Sequence, residues 1–427
     1  MSRFLPAVAL LLLEIGLASS ADYPFWRGPS RNGHVPEDSG WDGNAWRIKE
    51  TWRTNVGEGC TSPLVVGNRI YTMGWRDGRD QVICLDLSDG KVVWSQSYDG
   101  PRYGRHAAGD QSIYSGVSST PEYDADTGLL FALGTDGDLR CWDTKQQGKL
   151  VWHLNLYEKY GVSQRPKVGR SPIRDYGYTS SPLVHQDSLV VEVGAKTGTL
   201  MGFDKRNGRE LWRSEHAGPA GHNGGPALIR VENTPCVVVL ALDGLVVARL
   251  DAGKMGKTVA TYPWRTEFAN NIASASVHEN SIILTSNYNI NKMARLRLTL
   301  AGIEVVWKKD FVSKVCTPIV HQGYVYWAWM KLYCLNFETG ELVWDSPGFS
   351  DPGSCLVTSD DRLIVYSGQG KLTLADTAAR SPKKFQRLAE QKVLSHTNAW
   401  PHVVLANGRL LCKDAAGELV CLAIPVK

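Results

Sequence analysis

Side chains suited to binding a polar ligand are concentrated in two segments of this chain, 99–117 and 157–178. The first contains Gly-Pro-Arg-Tyr-Gly-Arg-His at 100–106, and the second carries five basic residues against two acidic ones. Guanidinium, imidazole, amide and aromatic groups provide planar, hydrogen-bonding surfaces. We therefore expect these segments to recognise sugars, carboxylates or quinones. The positive charge of the second segment favours an anionic or sugar-like ligand over a cation.

Three shorter stretches, around His222, Asn271 and Trp400, contain similar side chains. The repeat described below brings their loops to the same face as the two long segments, and loops on a rigid scaffold commonly carry binding sites. The predicted ligand-binding residues are Arg105, His106, Arg170, Tyr178, His222, Asn271 and Trp400. The alternative for each is an ordinary loop role, in which His106 or His222 bonds nearby backbone.

Catalytic residues cannot be assigned from the sequence. It contains no Gly-x-Ser-x-Gly elbow, no Cys-x-x-Cys pair and no His/Cys spacing suited to zinc. A Ser-His-Asp triad is defined by geometry and cannot be recognised from sequence order. We therefore predict no metal site and leave the catalytic residues unknown.

The elements that must position these loops are short strands. The stretch 179–214 reads as four strands, at 183–185, 189–193, 200–203 and 210–212, separated by turns rich in Gly, Asp and Asn. No apolar run in it is long enough for a helix. A single four-stranded sheet cannot bury both of its faces, so such a unit must stack on copies of itself.

Seven further copies are present. Several carry Asp or Asn after the third strand, Gly four or five residues later, and Trp four residues after the Gly, as in Asp204, Gly208 and Trp212. The acid caps its own following backbone, and Gly accepts the positive φ of the turn. The tryptophans are predicted to pack between units. They are Trp52, Trp94, Trp152, Trp212, Trp264, Trp307 and Trp344, with Phe385 in place of a Trp in the seventh unit.

The eighth copy ends at the C-terminus without a Trp strand, whereas 46–56 matches a fourth strand and precedes the first copy. We infer that this N-terminal strand completes the last sheet and closes a ring, which leaves only short, protected edges. The predicted fold class is therefore all-β: an eight-bladed β-propeller of four-stranded antiparallel blades spanning 46–427.

The pattern Ser-Ser-Pro … Leu-x-x-x-Asp-x-x-x-Gly-x-x-x-Trp resembles the PQQ-like, quinoprotein alcohol dehydrogenase-like β-propeller repeat, from about Trp46 to the C-terminus. The opening Phe-Trp-Arg-Gly-Pro-Ser-Arg-Asn-Gly at 25–33 is similar to the start of secreted planctomycete members of this family. The family includes PQQ-dependent alcohol and polyvinyl-alcohol dehydrogenases. It also includes non-catalytic propellers, such as the scaffold lipoprotein of outer-membrane barrel assembly.

The resemblance leaves two functions open. Methanol-type dehydrogenases of the family hold PQQ beside a disulfide of adjacent cysteines, with calcium and a catalytic Asp. This chain has no Cys-Cys dipeptide and no haem motif Cys-x-x-Cys-His. We therefore expect an exported, non-catalytic propeller without a cofactor, which binds an unknown ligand or protein partner at its channel mouth. The alternative is a periplasmic PQQ-dependent alcohol dehydrogenase of the polyvinyl-alcohol type, with PQQ and calcium.

The N-terminus and the composition bear on location. Residues 1–21 read as a signal peptide, with Arg3, an apolar stretch and small residues before the cleavage point. Residues 22–45 read as an extended tail pinned by Trp26, Trp41 and Trp46. The net charge of +4 is dispersed, which argues against nucleic-acid binding. We expect a periplasmic or secreted monomer with no membrane span in the mature chain.

The nine cysteines are predicted to be mostly small buried hydrophobes, because Cys84, Cys141, Cys334 and Cys421 share one position on the third strand of their units. A disulfide between Cys412 and Cys421, which flank a turn, is the alternative for that pair.

Overall fold

The strand pattern folds as a closed ring of eight four-stranded antiparallel sheets, which confirms the predicted eight-bladed β-propeller. The computed structural model describes residues 21–107, 116–351, 353–395 and 398–425. Strand β1 (Lys49–Asn55) precedes the first complete blade. The predicted signal peptide lies, except for Ala21, outside the described residues, as do residues 108–115 of the first long segment. Within the described chain, no helix combines the length and the apolar character needed to cross a membrane.

Each blade takes its strands in chain order. Blades 1 and 2 contain β2 (Leu64–Val66), β3 (Arg69–Arg76), β4 (Arg79–Asp86), β5 (Val92–Asp99), and β6 (Glu122–Asp124), β7 (Leu129–Leu133), β8 (Asp138–Asp143), β9 (Lys149–Asn155). Blades 3 and 4 contain β10 (Leu183–His185), β11 (Ser188–Ala195), β12 (Gly198–Asp204), β13 (Glu210–Arg213), and β14 (Ala227–Val231), β15 (Thr234–Ala241), β16 (Gly244–Arg249), β17 (Thr258–Pro263).

The second half of the chain continues the pattern. Blades 5 and 6 contain β18 (Ser276–His278), β19 (Ser281–Ser286), β20 (Lys292–Thr299), β21 (Gly302–Lys309), and β22 (Ile319–His321), β23 (Tyr324–Trp329), β24 (Lys331–Asn336), β25 (Leu342–Pro347). Blades 7 and 8 contain β26 (Gly353–Val357), β27 (Arg362–Ser367), β28 (Lys371–Asp376), β29 (Arg387–Lys392), and β30 (Val404–Ala406), β31 (Arg409–Lys413), β32 (Glu418–Ala423). A five-residue helix, α1 (Leu156–Tyr160), follows β9, and three 3-10 turns complete the secondary structure of the described chain.

The ring closes through β1, which pairs antiparallel with β32 and so becomes the outermost strand of blade 8. Trp52 lies opposite Cys421 in this pairing. The strand begins at Lys49, slightly later than the predicted start at Trp46, whose indole N–H instead donates to the Ser39 carbonyl of the tail (2.8 Å). The N-terminal strand therefore supplies the edge that blade 8 would otherwise leave open.

The repeated turn explains how neighbouring blades are joined. Asp86 Oδ1 accepts from Ser88 N (2.9 Å), and Gly90 donates back to the Asp86 carbonyl with a φ of 70°. A Cβ at Gly90 would lie 2.5 Å from the Trp52 ring. Trp52 also donates its indole N–H to the Leu87 carbonyl of the same turn (2.9 Å). The Trp of one blade is thus seated on the Gly turn of the next, so Gly is required for both its conformation and its lack of a side chain.

Of the seven predicted blade tryptophans, strand register corrects one, Trp264, and it also corrects Phe385, the predicted substitute in blade 7. Six occupy one position, directly opposite a third-strand residue and beside a bulge: Trp52, Trp94, Trp152, Trp212, Trp307 and Trp344. In blades 4 and 7 that position holds Ala260 and Ala389. Trp264 lies just after β17 and donates to Ser286 Oγ of blade 5 (2.8 Å). Phe385 precedes β29 and packs against Trp344, with ring centroids 5.7 Å apart.

All nine cysteines are free thiols, and eight of them are buried. Cys84, Cys141, Cys334 and Cys421 do share one position, opposite the blade tryptophans. Cys412 lies opposite Val420 in the hairpin, whereas Cys421 lies opposite Leu411. The alternative disulfide between Cys412 and Cys421 is therefore not formed.

The N-terminal tail crosses one mouth of the channel. Its path is fixed at the turns between the first and second strands of blades 1, 7 and 8. Asp22 accepts from Gly67 N (2.7 Å), Ser39 donates to Asp360 (2.8 Å), and Glu37 accepts from Gly408 N (2.9 Å). We call this end of the ring the tail face, and the end that carries the two long segments the loop face.

Candidate functional site

A central cavity is formed where the eight first strands begin. It encloses about 870 Å³, counting its open mouth. Its wall takes residues from the start of most blades, including Ser62, Thr120, Ser181, Thr317 and Ser354. Connections on the loop face add further lining residues to the wall. Since the blades converge at the axis, one short segment per blade is enough to enclose the site.

Hydroxyl groups link the blades around this cavity. Thr120 Oγ1 accepts from Ser62 N (3.1 Å), and Ser181 Oγ accepts from Thr120 N (2.9 Å). Ser62 Oγ in turn accepts from His402 N (2.7 Å) across the junction between the chain's ends. The remaining bonds of this kind are Gly224 N to Ser274 Oγ, Ser274 N to Thr317 Oγ1 and Val403 N to Ser354 Oγ. We call the six acceptor residues, Ser62, Thr120, Ser181, Ser274, Thr317 and Ser354, the hydroxyl belt.

The tail supplies the opposite end of the cavity. Trp26 lines the cavity and lies so close to Gly224 that a Cβ there would approach its ring to 2.5 Å. The next residue, Arg27, is buried and donates to the Pro318 carbonyl (2.8 Å). Arg31 pairs with the buried Glu122 at the start of β6. The tail is therefore anchored among the first strands, and its indole forms part of the binding surface.

The second long segment is held down by a buried ion pair. Arg165 Nη1 lies 2.6 Å from Asp175 Oδ1, and the guanidinium also donates to the carbonyls of Ala220 and Gly177. Burial would raise the pKa of Asp175, but the charge of Arg165 and the hydrogen bond from the Arg165 backbone N–H hold it well below its usual range. The charge of Arg165 is therefore neutralised by Asp175 within the same segment.

His222 lines the cavity, but both of its ring nitrogens are engaged. Nε2 accepts from Tyr176 N (3.1 Å) and Nδ1 faces the Ala269 carbonyl (3.0 Å), which fixes the neutral Nδ1–H tautomer. Burial and the nearby Arg165 lower the pKa of His222 to about 4. His222 therefore joins the second segment to the loops of blades 4 and 5, and it is unsuited to act as a general base.

The predicted ligand-binding residues do not converge on one point. His222 and Trp400 line the cavity. Tyr178 and Asn271 lie behind the wall, where Tyr178 donates to the Val193 carbonyl (2.7 Å) and Asn271 donates to the Ala241 carbonyl (2.8 Å). The other three are on the two long segments, away from the lining: Arg105, paired with Asp136 (3.1 Å), His106, packed on Tyr157 (ring centroids 4.8 Å apart), and the exposed Arg170.

Sequence reasoning missed the hydroxyl belt, Trp26 and Asn270. The belt had a visible signal, since Ser or Thr repeatedly stands directly before the Pro that opens a blade. Asn270 is the neighbour of the predicted residue Asn271, and of the two only Asn270 lines the cavity. Its Nδ2 donates to Tyr288 Oη (3.2 Å), while its buried Oδ1 accepts from no group of the described protein.

A buried carboxyl supports the wall from behind. Glu192 accepts from Gly221 N and from Asn223 Nδ2, both at 2.9 Å, and so orients the loop that carries His222. Burial raises the pKa of Glu192 to about 7, against the opposing effect of these hydrogen bonds and of Arg165. Because Glu192 lies beneath Asn223, it positions the wall without lining it.

The cavity is uncharged. Among the residues the structure describes, the lining contains no Asp, Glu, Lys or Arg. Its other histidine, His402, bonds the Val403 carbonyl (2.8 Å), and burial lowers the pKa of His402 to about 4. The other side chains of the lining are hydroxyl, amide, aromatic, thiol and aliphatic groups, so the site is equipped to bind by hydrogen bonding and apolar contact.

Comparisons with known proteins bear on this architecture. A family model described as outer membrane protein assembly factor BamB matches residues 42–114 and 111–346. These ranges cover β1 and almost all of blades 1 to 6, and leave blade 7 and the other three strands of blade 8 unmatched. No curated protein has a significantly similar sequence.

Several solved structures share the fold. BamB from Moraxella catarrhalis is 13% identical, with a TM-score of 0.60 over 88% of this chain and 99% of that chain. The quinohemoprotein alcohol dehydrogenase ADHIIG from Pseudomonas putida HK5 is 14% identical, with a TM-score of 0.61 over 96% of this chain and 81% of that chain. The C-terminal WD40 domain of Sif2 is 11% identical, with a TM-score of 0.58 over 90% of this chain and all of that chain. Identities this low establish a common fold and leave function open.

Proposed function

The chain belongs to the family described as outer membrane protein assembly factor BamB, and on that premise we propose that it is an exported, non-catalytic β-propeller that binds a ligand or protein partner at its channel mouth. The observation that carries this proposal is the uncharged cavity, walled by the hydroxyl belt and ended by Trp26. Its two histidines are held neutral. A wall of this kind favours recognition over proton transfer or nucleophilic attack.

An extracytoplasmic location follows from the same premise. The matching family is described as an outer membrane assembly factor, and residues 1–21 have the composition of a signal peptide. We propose that the protein is periplasmic or secreted and that its mature chain begins near Ala21. Sequencing the N-terminus of protein purified from its native host tests this, and a chain that retains Met1 would contradict it.

The competing function is that of a PQQ-dependent alcohol dehydrogenase, and the lining residues do not fit that cofactor with calcium. Calcium takes six to eight oxygen ligands, usually including carboxylates, and PQQ is itself an anion with several carboxylates. Within the described lining no acid is available for the metal and no Arg or Lys for the cofactor. We therefore derive no reaction step through PQQ.

Two measurements on the full chain decide between these functions. Dye reduction with PQQ, calcium and primary alcohols is expected to stay at background. Capture of a ligand or partner from the host's extracytoplasmic extract is expected with the wild-type protein and to weaken in Trp400→Ala. A matched control is Tyr324→Ala, which removes a half-buried ring from the tail face. Alcohol-dependent dye reduction, or equal capture by Trp400→Ala and wild type, would overturn the binding role at this mouth.

A further inference from the structure

We propose that the cavity selects an uncharged, polyhydroxylated ligand such as a sugar ring, an inference that rests on the binding function proposed above. The decisive feature is the chemistry of the wall, which offers hydroxyl and amide groups between aromatic rings.

The hydroxyl belt presents a set of hydrogen-bond donors. A Ser or Thr hydroxyl has one donor proton and two acceptor lone pairs. Five members of the belt line the cavity: Ser62, Thr120, Ser181, Thr317 and Ser354. Each accepts a backbone N–H, and within the described residues none donates its own proton to a protein acceptor. Each hydroxyl can therefore donate one hydrogen bond to a ligand and accept another, which is the pairing that alcohol groups need.

Asn270 adds a buried acceptor to this wall. Its side chain is anchored through Nδ2 to Tyr288, and the residue is only 4% exposed. Oδ1 makes no hydrogen bond within the described protein. Since buried polar atoms are normally paired, this amide oxygen indicates a ligand donor such as a hydroxyl.

Aromatic rings supply the surface that a sugar ring requires. Trp26 and Trp400 both line the cavity, together with Tyr176 of the second segment. Large flat side chains with a polar edge bury the apolar C–H face of a ligand while its hydroxyls remain available for hydrogen bonds. A ligand that alternates an apolar ring face with equatorial hydroxyls matches such a wall better than a wholly apolar one.

No charged side chain of the described chain lines the cavity, and two buried cations lie behind the wall, where Arg27 donates to the Pro318 carbonyl and Lys413 to the Gly59 carbonyl. Arg165 is paired with Asp175 beneath the wall, and Arg105 is paired with Asp136 at the loop face. One basic side chain of each long segment is therefore neutralised by an acid. Transferring an ion into an uncharged site costs free energy that no counter-charge in the described lining repays. A neutral ligand is favoured over both anions and cations.

The test is isothermal titration of the full chain with three matched probes: glucose or maltose, glucuronate, and glucosamine. Neutral sugars are expected to bind at least about tenfold more tightly than either charged relative. Tighter binding of glucuronate or glucosamine would overturn the neutral class while leaving the binding function intact. If no neutral sugar of a wider panel binds at millimolar concentration but a protein partner is captured, the sugar proposal is wrong and the scaffold role stands.

A substitution that adds a negative charge to the wall tests whether the ligand contacts Asn270. Asn270→Asp keeps the size of the side chain and is expected to weaken neutral sugar binding at least about tenfold and to favour glucosamine over glucose. The control is Asn44→Asp, at an exposed position in the tail, which should change neither affinity. Melting curves establish that both variants fold. Unchanged selectivity in a folded Asn270→Asp protein would show that the sugar binds elsewhere and overturn the assignment.

Discussion

Arg165 Nη1 and Asp175 Oδ1 lie 2.6 Å apart in a buried ion pair that fastens the second long segment to the propeller. The side chains are 6% and 1% exposed, and the guanidinium also reaches carbonyls next to His222. The pair therefore connects the conformation of the segment to the wall of the cavity. Its strength depends on both partners, because each would be a buried charge without the other.

Removing one partner of this pair should be costly. Arg165→Ala is expected to lower the free energy of unfolding by about 3–5 kcal/mol, the usual cost of leaving one buried charge unpaired. Urea unfolding measures the change. The matched control is Arg206→Ala, which breaks the exposed pair with Asp187 and should leave the free energy of unfolding close to that of wild type. Equal costs for the two variants would contradict the structural role of the buried pair.

The same pair predicts sensitivity to acid. The pKa of Asp175 is depressed in the folded protein, so its contribution is complete above the unfolded pKa of about 4. It is lost as the pH falls further toward the folded pKa. Asp175→Asn should therefore be less stable than wild type at neutral pH, with the difference shrinking below about pH 4. A difference that does not change between pH 7 and pH 3 would argue against this linkage.

Glu192 should have the opposite pH dependence. Its pKa is raised by burial to about 7, so the folded state holds a proton that the unfolded chain has released. Its contribution to stability therefore falls as the pH rises from about 4 to 7. Thermal unfolding of Glu192→Gln should flatten this part of the profile. Glu341→Gln, which removes an exposed carboxylate paired with Lys309, is the matched control for the substitution.

Strand β1 is the clasp that closes the ring by pairing with β32, and it should carry much of the ring's stability. Trp52→Ala removes the ring that covers Gly90 and the hydrogen bond to Leu87, and it should cost about 3–5 kcal/mol. Trp329→Ala, at a half-buried position at the end of β23, should cost less. Truncating the chain to Glu58 removes β1 altogether and should abolish soluble folding. An unchanged melting temperature after either change to the clasp would contradict closure through β1.

Thiol titration checks the packing of the cysteines. All nine should react with a thiol reagent after denaturation without reductant. In the folded protein the partly exposed Cys60 should react before the other eight and give the fastest phase, although burial raises its pKa to about 11 and slows its reaction relative to a free thiol. Cys60→Ser should remove that fast phase. The closest thiol pair, Cys316 and Cys355, has Sγ atoms 3.7 Å apart and remains reduced in the structure. Finding fewer than seven thiols would mean that disulfides form and that the burial argument fails.

Local repeats in the sequence determine the blades. Asp, Gly and Trp recur at fixed offsets, and each Asp-to-Gly turn is formed by residues close along the chain, as between Asp86 and Gly90. The sequence therefore predicts the number of strands, the number of blades and closure by an N-terminal strand within 46–56. Register could not be read in the two irregular blades. In these blades Ala260 and Ala389 lie beside the bulge, where the other blades have Trp. A bulge depends on how two strands pair, so its position is not visible in the sequence of one strand.

The candidate site was decided by tertiary structure. The sequence identifies the loop face, and His222 and Trp400 do line the cavity. It cannot show that Arg105 and Arg165 are paired with acids, since those partners are fixed by the folding of the segments. Nor can it show that Trp26 enters the channel. The cavity takes about one short segment from each blade, and only closure of the ring brings residues as distant in sequence as Ser62 and His402 into contact.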